Sequence, residues 1–230
     1  LRAETDVDYD GAFQNEARNL QQVAGVNLRV RPLDNWDVKL AAGRSWDEQR
    51  NFKDGDFASR FDTRRDSLSL QNDVALGANH LVTVGLDYQE DSVTSDVDYA
   101  VSSRDNIGVF GQYQGWLGPA ALKASLRHDD NEQFGGHTTG DMVFGYDITP
   151  DLRVTAAYGT AFTAPTFNDL YYPGDAFFAG GNPDLEPEES RSAELGLAGR
   201  TGPMDWSLNV YETRIDDLIT LVPPTFAAEN

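Results

Sequence analysis

The sequence contains no cysteine, so neither a disulfide framework nor a thiolate metal site is open to it. It also lacks any apolar run approaching the roughly 18 consecutive residues that make a spanning helix, and its mean hydropathy is −0.50. Neither absence excludes a membrane strand, which needs only about 9 to 11 residues with every second one facing lipid. Positive charge is scarce: 18 Lys and Arg stand against 38 Asp and Glu, a formal net charge of −20. Such a chain is repelled by nucleic acid and favours cations as ligands. No nucleophile elbow, P-loop or dinucleotide fingerprint occurs, and the expectation is a protein that is not an enzyme and uses no redox cofactor. His80, His128 and His137 fall in different links and at different ends, which argues against a zinc or haem centre. The first residues, Leu1-Arg2-Ala3-Glu4, include no initiator Met, basic segment or apolar leader, so a piece of a longer precursor is expected.

What is present is period-2 alternation, repeated about ten times, the mark of strands rather than helices. Val26, Leu28 and Val30 alternate with Asn27 and Arg29; Val38 and Leu40 with Asp37 and Lys39; Leu68 and Leu70 with Ser67, Ser69 and Gln71. The pattern continues through Val82–Tyr88, Leu122–Leu126, Met142–Ile148, Leu152–Tyr158, Ala193–Leu197 and Met204–Val210. Only Ile107–Trp116 is ambiguous, since the neighbours Val109 and Phe110 are both apolar.

The connections fall into two classes. Tight turns rich in Gly, Pro and Asn are expected at 31–35, 77–80, 117–119, 149–151 and 199–203. Long polar links are expected at 44–66, 89–106, 129–140 and 161–191, alternating with the tight turns. Trp36, Trp116 and Trp206 stand beside short turns, and Trp46, Tyr88 and Tyr158 at the opposite strand ends, as membrane-interface aromatics do. The fold class expected is all-β: an antiparallel up-and-down transmembrane β-barrel, with a soluble sandwich or propeller as the alternative. Ten strands read as consecutive members of something larger, and an unclosed sheet would not insert or transport alone.

Two acidic clusters are candidate metal ligands. Asp6, Asp8 and Asp10 precede Gly11 with the spacing that turns carboxylates onto a calcium ion. A full EF-hand loop is ruled out, because Ala17 occupies the position where the bidentate Glu belongs. Asp54, Asp56 and Asp62 lie in the next long link, which alternation places at the same rim, so two loops could share calcium. The link 161–191 carries Phe162, Phe167, Tyr171, Tyr172, Phe177 and Phe178 among four prolines. So many aromatics on a water-facing link contact a substrate or pack inward, and packing is the favoured reading; Phe162, Tyr171, Tyr172, Phe177 and Phe178 are the substrate-binding candidates.

The run Tyr158-Gly159-Thr160-Ala161-Phe162-Thr163-Ala164-Pro165-Thr166, then Leu170-Tyr171, Gly181-Asn182-Pro183-Asp184-Leu185-Glu186-Pro187-Glu188-Glu189-Ser190 and Glu194, closely resembles the signature of TonB-dependent outer-membrane receptors. Arg127–Gly135 and Ile215–Ile219 resemble segments of the vitamin B12 receptor branch of that family. The resemblance implies a bacterial outer-membrane location and a barrel of about 22 strands around a plug. This chain, 1–230, would be part of that barrel domain, with plug, first strands and last strands absent. It implies active import of cobalamin or a similar large scarce nutrient, driven by TonB through the plug, with outer-membrane lipid as surroundings. It also implies calcium bound by two adjacent extracellular loops. The family's ligands fall on Asp8, Asp10 and Asp62, with Asp54 near another; Asp6 and Asp56 are additions from spacing. An iron-siderophore or haem receptor is the alternative within the family, and a passive porin or surface adhesin the alternative outside it.

Overall fold

The computed structural model describes residues 2–6, 15–174, 180–222 and 227–230. Eleven strands form one antiparallel sheet in which each strand pairs with its neighbours in sequence, leaving β1 and β11 at the edges. They are β1 (Arg2–Asp6), β2 (Asn15–Leu33), β3 (Trp36–Lys53), β4 (Asp56–Ala75), β5 (His80–Ser95) and β6 (Ser103–Leu117). The series continues with β7 (Ala120–Asn131), β8 (Gly135–Thr149), β9 (Leu152–Thr163), β10 (Glu188–Thr201) and β11 (Met204–Asp216). A short helix, α1 (Phe167–Tyr171), lies between β9 and β10, and β12 (Thr220–Val222) pairs with β13 (Ala227–Glu229). All the strands expected from alternation are present in the expected order, with β1 added before them.

The two faces of the sheet are inverted relative to a water-soluble protein. Leu28, Leu40, Leu70, Leu86 and Val109 fall in one cross-strand row. Val26, Leu195 and Val210 extend that face, and these apolar side chains are exposed, Val26 to 72%. On the opposite face Asp129 is 4% exposed and Thr83 6%. A curved sheet crowds side chains on its concave side, and here the polar ones are crowded. Such a sheet has no sealed apolar interior of the kind a β-sandwich builds, so the soluble alternative is excluded. The face polarity is that of a membrane barrel wall, apolar outward and polar inward. The ambiguous strand β6 obeys the same rule. Val109 points outward at 54% exposure, while Phe110 turns inward, where the Arg127 guanidinium lies 5.8 Å from its ring centroid.

Three of the expected long links need correction. The link 44–66 is not a long loop: β3 runs on to Lys53 and β4 begins at Asp56, closed by the two-residue turn Asp54-Gly55. Both turn residues have positive φ, 53° and 87°, the conformation that an Asp-Gly hairpin turn supplies. Arg44 pairs with Asp66 and Arg65 with Asp91 across these extensions. Opposite charges across a ladder hold a strand as alternating leucines do, yet leave no apolar period to read. Likewise 89–106 and 129–140 shrink, since β5 reaches Ser95, β6 starts at Ser103, β7 reaches Asn131 and β8 starts at Gly135. Of the long links expected, 161–191 stays long. The expected tight turns lie where the sequence placed them.

Candidate functional site

The link between β9 and β10 folds back as a cap at the rim opposite the short turns. Thr166 N-caps α1 in a capping box: its hydroxyl accepts from the Asp169 amide at 3.2 Å, and the Asp169 carboxylate accepts from the Thr166 amide at 2.8 Å. The helix thereby presents Phe167 and Leu170, one turn apart, to the interior. Leu170 is fully buried and packs with Leu185 and Ala228, flanked by Phe134, Tyr171 and Ile219. The second half of the signature closes this small core. The Asn182 amide donates to the Asp169 carbonyl at 2.7 Å, and its side chain donates to the Ala228 carbonyl at 3.1 Å. The Ile219 amide donates to Glu188 at 2.8 Å. Gly181 lies so close to α1 that a Cβ there would stand 2.4 Å from Leu170 C and Tyr171 N. Any side chain at 181 would force the chain apart.

The cap is also fastened to the wall. The Tyr99 hydroxyl donates to Asn168 Oδ1 at 2.6 Å, and Gln133 donates to the Tyr171 hydroxyl. Arg104 donates to the Pro165 carbonyl at 2.7 Å, with its guanidinium 4.9 Å from the Phe167 ring centroid. Burial, with Tyr172 and Asp96 nearby, raises the Tyr99 hydroxyl above the usual tyrosine range, so it stays a donor.

Beneath the cap the inner wall forms a cavity of about 440 Å³, lined by Arg65, Asp91, Arg104, Asn106, Asp129 and Phe162 among others. A second cavity of about 330 Å³ shares Arg65, Asp91 and Arg104. Cross-strand rows explain the grouping. Asp91 stands opposite both Arg65 and Arg104, and Arg65 takes both its oxygens, at 2.6 and 3.0 Å. Asp129, nearly fully buried, accepts from Arg127 Nε at 2.7 Å and from Asn106 Nδ2 at 2.7 Å. Arg127 also reaches Asp87 at 2.6 Å.

Of the aromatic candidates, Phe162 stacks on His137 with ring centroids 4.4 Å apart and borders the larger cavity. Tyr171 is partly buried in the cap core, and Tyr172 is 41% exposed. Phe177 and Phe178 lie outside the described residues. The sequence reading missed Tyr99 and Arg104, both inside a stretch read as a polar link. A lone arginine in so acidic a segment was the available signal.

The acidic candidates occupy the other side of the same rim. Asp54 sits in the β3–β4 turn, and Asp56 opens β4. Asn15 pairs with Lys53, which pairs with Asp56, so β2 begins beside this turn. Asp8 and Asp10 themselves lie outside the described residues, and Asp6 ends β1 opposite Glu16. Asp62 stands lower on β4, roughly 20 Å from Asp56 at the usual strand rise. It lies opposite Glu48 and is paired with Arg60. Among the described residues no three carboxylate or imidazole groups converge to hold a metal. Asp62 Oδ1, however, is buried with no hydrogen-bond partner.

Comparison with known proteins fits this geometry. Residues 2–230 match the family described as TonB dependent receptor-like, beta-barrel. The chain is 37% identical over 224 residues to the vitamin B12 transporter BtuB of Photobacterium profundum, covering 94% of this chain and 35% of that protein. It is 32% identical over 206 residues to BtuB of Vibrio cholerae, covering 86% and 30%. The chain thus spans about a third of the length of these curated relatives. Among solved structures, the hemophore receptor HasR of Serratia marcescens aligns with a TM-score of 0.71 at 15% identity, over 94% of this chain and 44% of that one. The ferric enterobactin receptor PfeA of Pseudomonas aeruginosa aligns at 0.69 and 17%, over 92% and 36%. At such identities these two establish the fold alone.

Proposed function

The chain belongs to the TonB-dependent receptor-like β-barrel family, and from that premise we propose that it is part of an outer-membrane active importer of vitamin B12. The observation that carries the substrate is the identity of 30 to 37% to proteins named vitamin B12 transporters over most of this chain. The inverted wall supports the membrane location: an apolar outward belt meets lipid, and a charged inward face meets a watery lumen. The barrel supplies the wall and the binding rim. Energy delivered by TonB acts through a plug domain outside this chain. The named relatives are transporters.

Calcium fits the acidic side of the rim by its chemistry. The candidate donors are all carboxylates, the hard oxygen ligands that calcium takes, with no thiol and no converging imidazoles. Asp54 and Asp56, with Asp6, Asp8 and Asp10 from the adjoining segment, would hold the ion at the tip. Asp62, with its unpartnered Oδ1, would serve a lower site beside Glu48. A bound ion would cancel carboxylate repulsion and hold two adjacent elements in one arrangement, lowering the ordering cost of capturing a ligand there.

The test uses the full-length receptor in outer-membrane vesicles. Cobalamin binding should strengthen with calcium, and Asp8→Ala combined with Asp62→Ala should remove that calcium dependence. Binding that remains equally calcium-stimulated in the double variant rejects the calcium assignment. Uptake that continues in cells lacking TonB rejects active import in favour of a passive pore.

A further inference from the structure

Every other arginine whose side chain is described forms an ion pair with a carboxylate. Arg104 forms none among the described residues, although the chain carries 38 acidic residues. Its position makes this more than a lack of neighbours. Asp91 is its direct cross-strand partner, but both Asp91 oxygens are engaged by Arg65, and Gln89 adds a third bond at 3.0 Å. Arg104 is partly buried, and its fixed partners are neutral: the Pro165 carbonyl and the face of Phe167. A guanidinium offers five N–H donors in a rigid fork. One is spent on Pro165, and the side chain borders both cavities of the inner wall. A cation held in place and partly desolvated, with Asp91 and Asp169 near but neither in an ion pair with it, is poised for an anion that arrives from outside. The planar fork matches an oxyanion such as a phosphodiester or carboxylate.

Resting on the reading of this chain as a cobalamin importer, we infer that Arg104 is a ligand-binding residue for the phosphodiester of the corrinoid nucleotide loop, seated in the cavity beneath the Phe162–Pro165 segment. That phosphodiester is the anionic group on the periphery of a molecule otherwise edged by amides. The remaining wall matches such a surface, since Gln89, Asn106 and Asn131 line the same cavity. Pro165 and Phe167 then serve to aim the guanidinium, which connects the family signature to recognition through one side chain.

The experiment compares cobalamin with cobinamide, the corrinoid that lacks the nucleotide loop and its phosphodiester, on the full-length receptor. Arg104→Gln should weaken cobalamin binding about tenfold or more, the loss expected when a charge-assisted hydrogen bond is removed, and leave cobinamide binding unchanged. Arg104→Lys, which keeps the charge and loses the fork, should fall between, and carries the same comparison where the glutamine variant does not accumulate. Equal weakening of both corrinoids means that Arg104 only braces the cap and overturns the proposal, as does no weakening of either. A wild-type receptor that binds neither corrinoid removes the importer reading itself, and this assignment with it.

Discussion

The two sides of the rim solve the same problem in opposite ways. On one side β2, β3 and β4 run 19, 18 and 20 residues, well beyond the 9 to 11 or so that cross a bilayer, and β3 and β4 meet in a two-residue turn. On the other side β7 and β9 run 12 residues each, and the chain above them leaves the sheet and folds into the cap. The tall side satisfies its backbone groups by continuing the ladder, so its side chains need only be compatible with water and with each other. The capped side gives up the ladder and must replace it piece by piece: a capping box, a buried leucine, a glycine contact and side chains such as Asn182 that bond to backbone. A polar strand tolerates broad substitution, whereas a packed loop depends on individual residues. This is why the recognisable signature lies on the capped side.

Three substitutions and titrations probe that contrast. The largest effect is expected at Leu170→Ala, which empties the centre of the cap core and should cost about 2 to 5 kcal/mol of cap stability. Limited proteolysis and hydrogen exchange should show 164–187 opening while β2–β4 keep their protection. Equal loss of protection on both sides would mean that the rim is a single cooperative unit. Next, arginine at Leu40 or Leu86, in the outward belt, should cost about 2 to 4 kcal/mol of folding into lipid. Arginine at Phe57, which is 56% exposed on the tall extension, should cost far less. Similar losses at both levels would contradict the placement of the bilayer around the Leu28–Val109 row. The smallest effect concerns pH. The Tyr99 hydroxyl is raised by burial, so its contribution to holding α1 is fully present below about pH 10, where an unfolded tyrosine titrates. That contribution fades as pH rises through the folded value. Tyrosinate absorbance should therefore lose a late-titrating component in Tyr99→Phe.

The strand order and the polarity of each face were legible because lipid on one side and water on the other impose a two-residue period. Above the belt that signal vanishes. At Arg44, Trp46, Glu48 and Arg50 the outward positions are mostly charged, and the inward ones, Ser45, Asp47 and Gln49, are polar as well. The extension looked like a loop, although Asp54-Gly55 was a hairpin signal in plain sight. The cap could be read as a resemblance but not as physics, because its buried residues meet partners far along the chain: Asn182 with Ala228, Arg104 with Pro165. No local pattern reports a contact between residues so distant. Asp54 and Asp56 stood out in composition, and their position beside the start of β2 follows from strand register. Nothing local in the sequence marks Arg104 as the arginine without an ion pair among the described residues, because cross-strand register decides that Asp91 goes to Arg65.

The consecutive strand order carries a consequence for biogenesis. Within the eleven-stranded sheet each strand finds its neighbours immediately before and after it in the chain, so the wall can grow hairpin by hairpin as it is delivered, with short loop closures at each step. The cap cannot be completed in that way. Its bonds reach back 61 residues from Pro165 to Arg104 and forward 46 from Asn182 to Ala228. The last of them must wait until the polypeptide has been threaded past β11, so a growing wall stays open at the top until its later strands are in place.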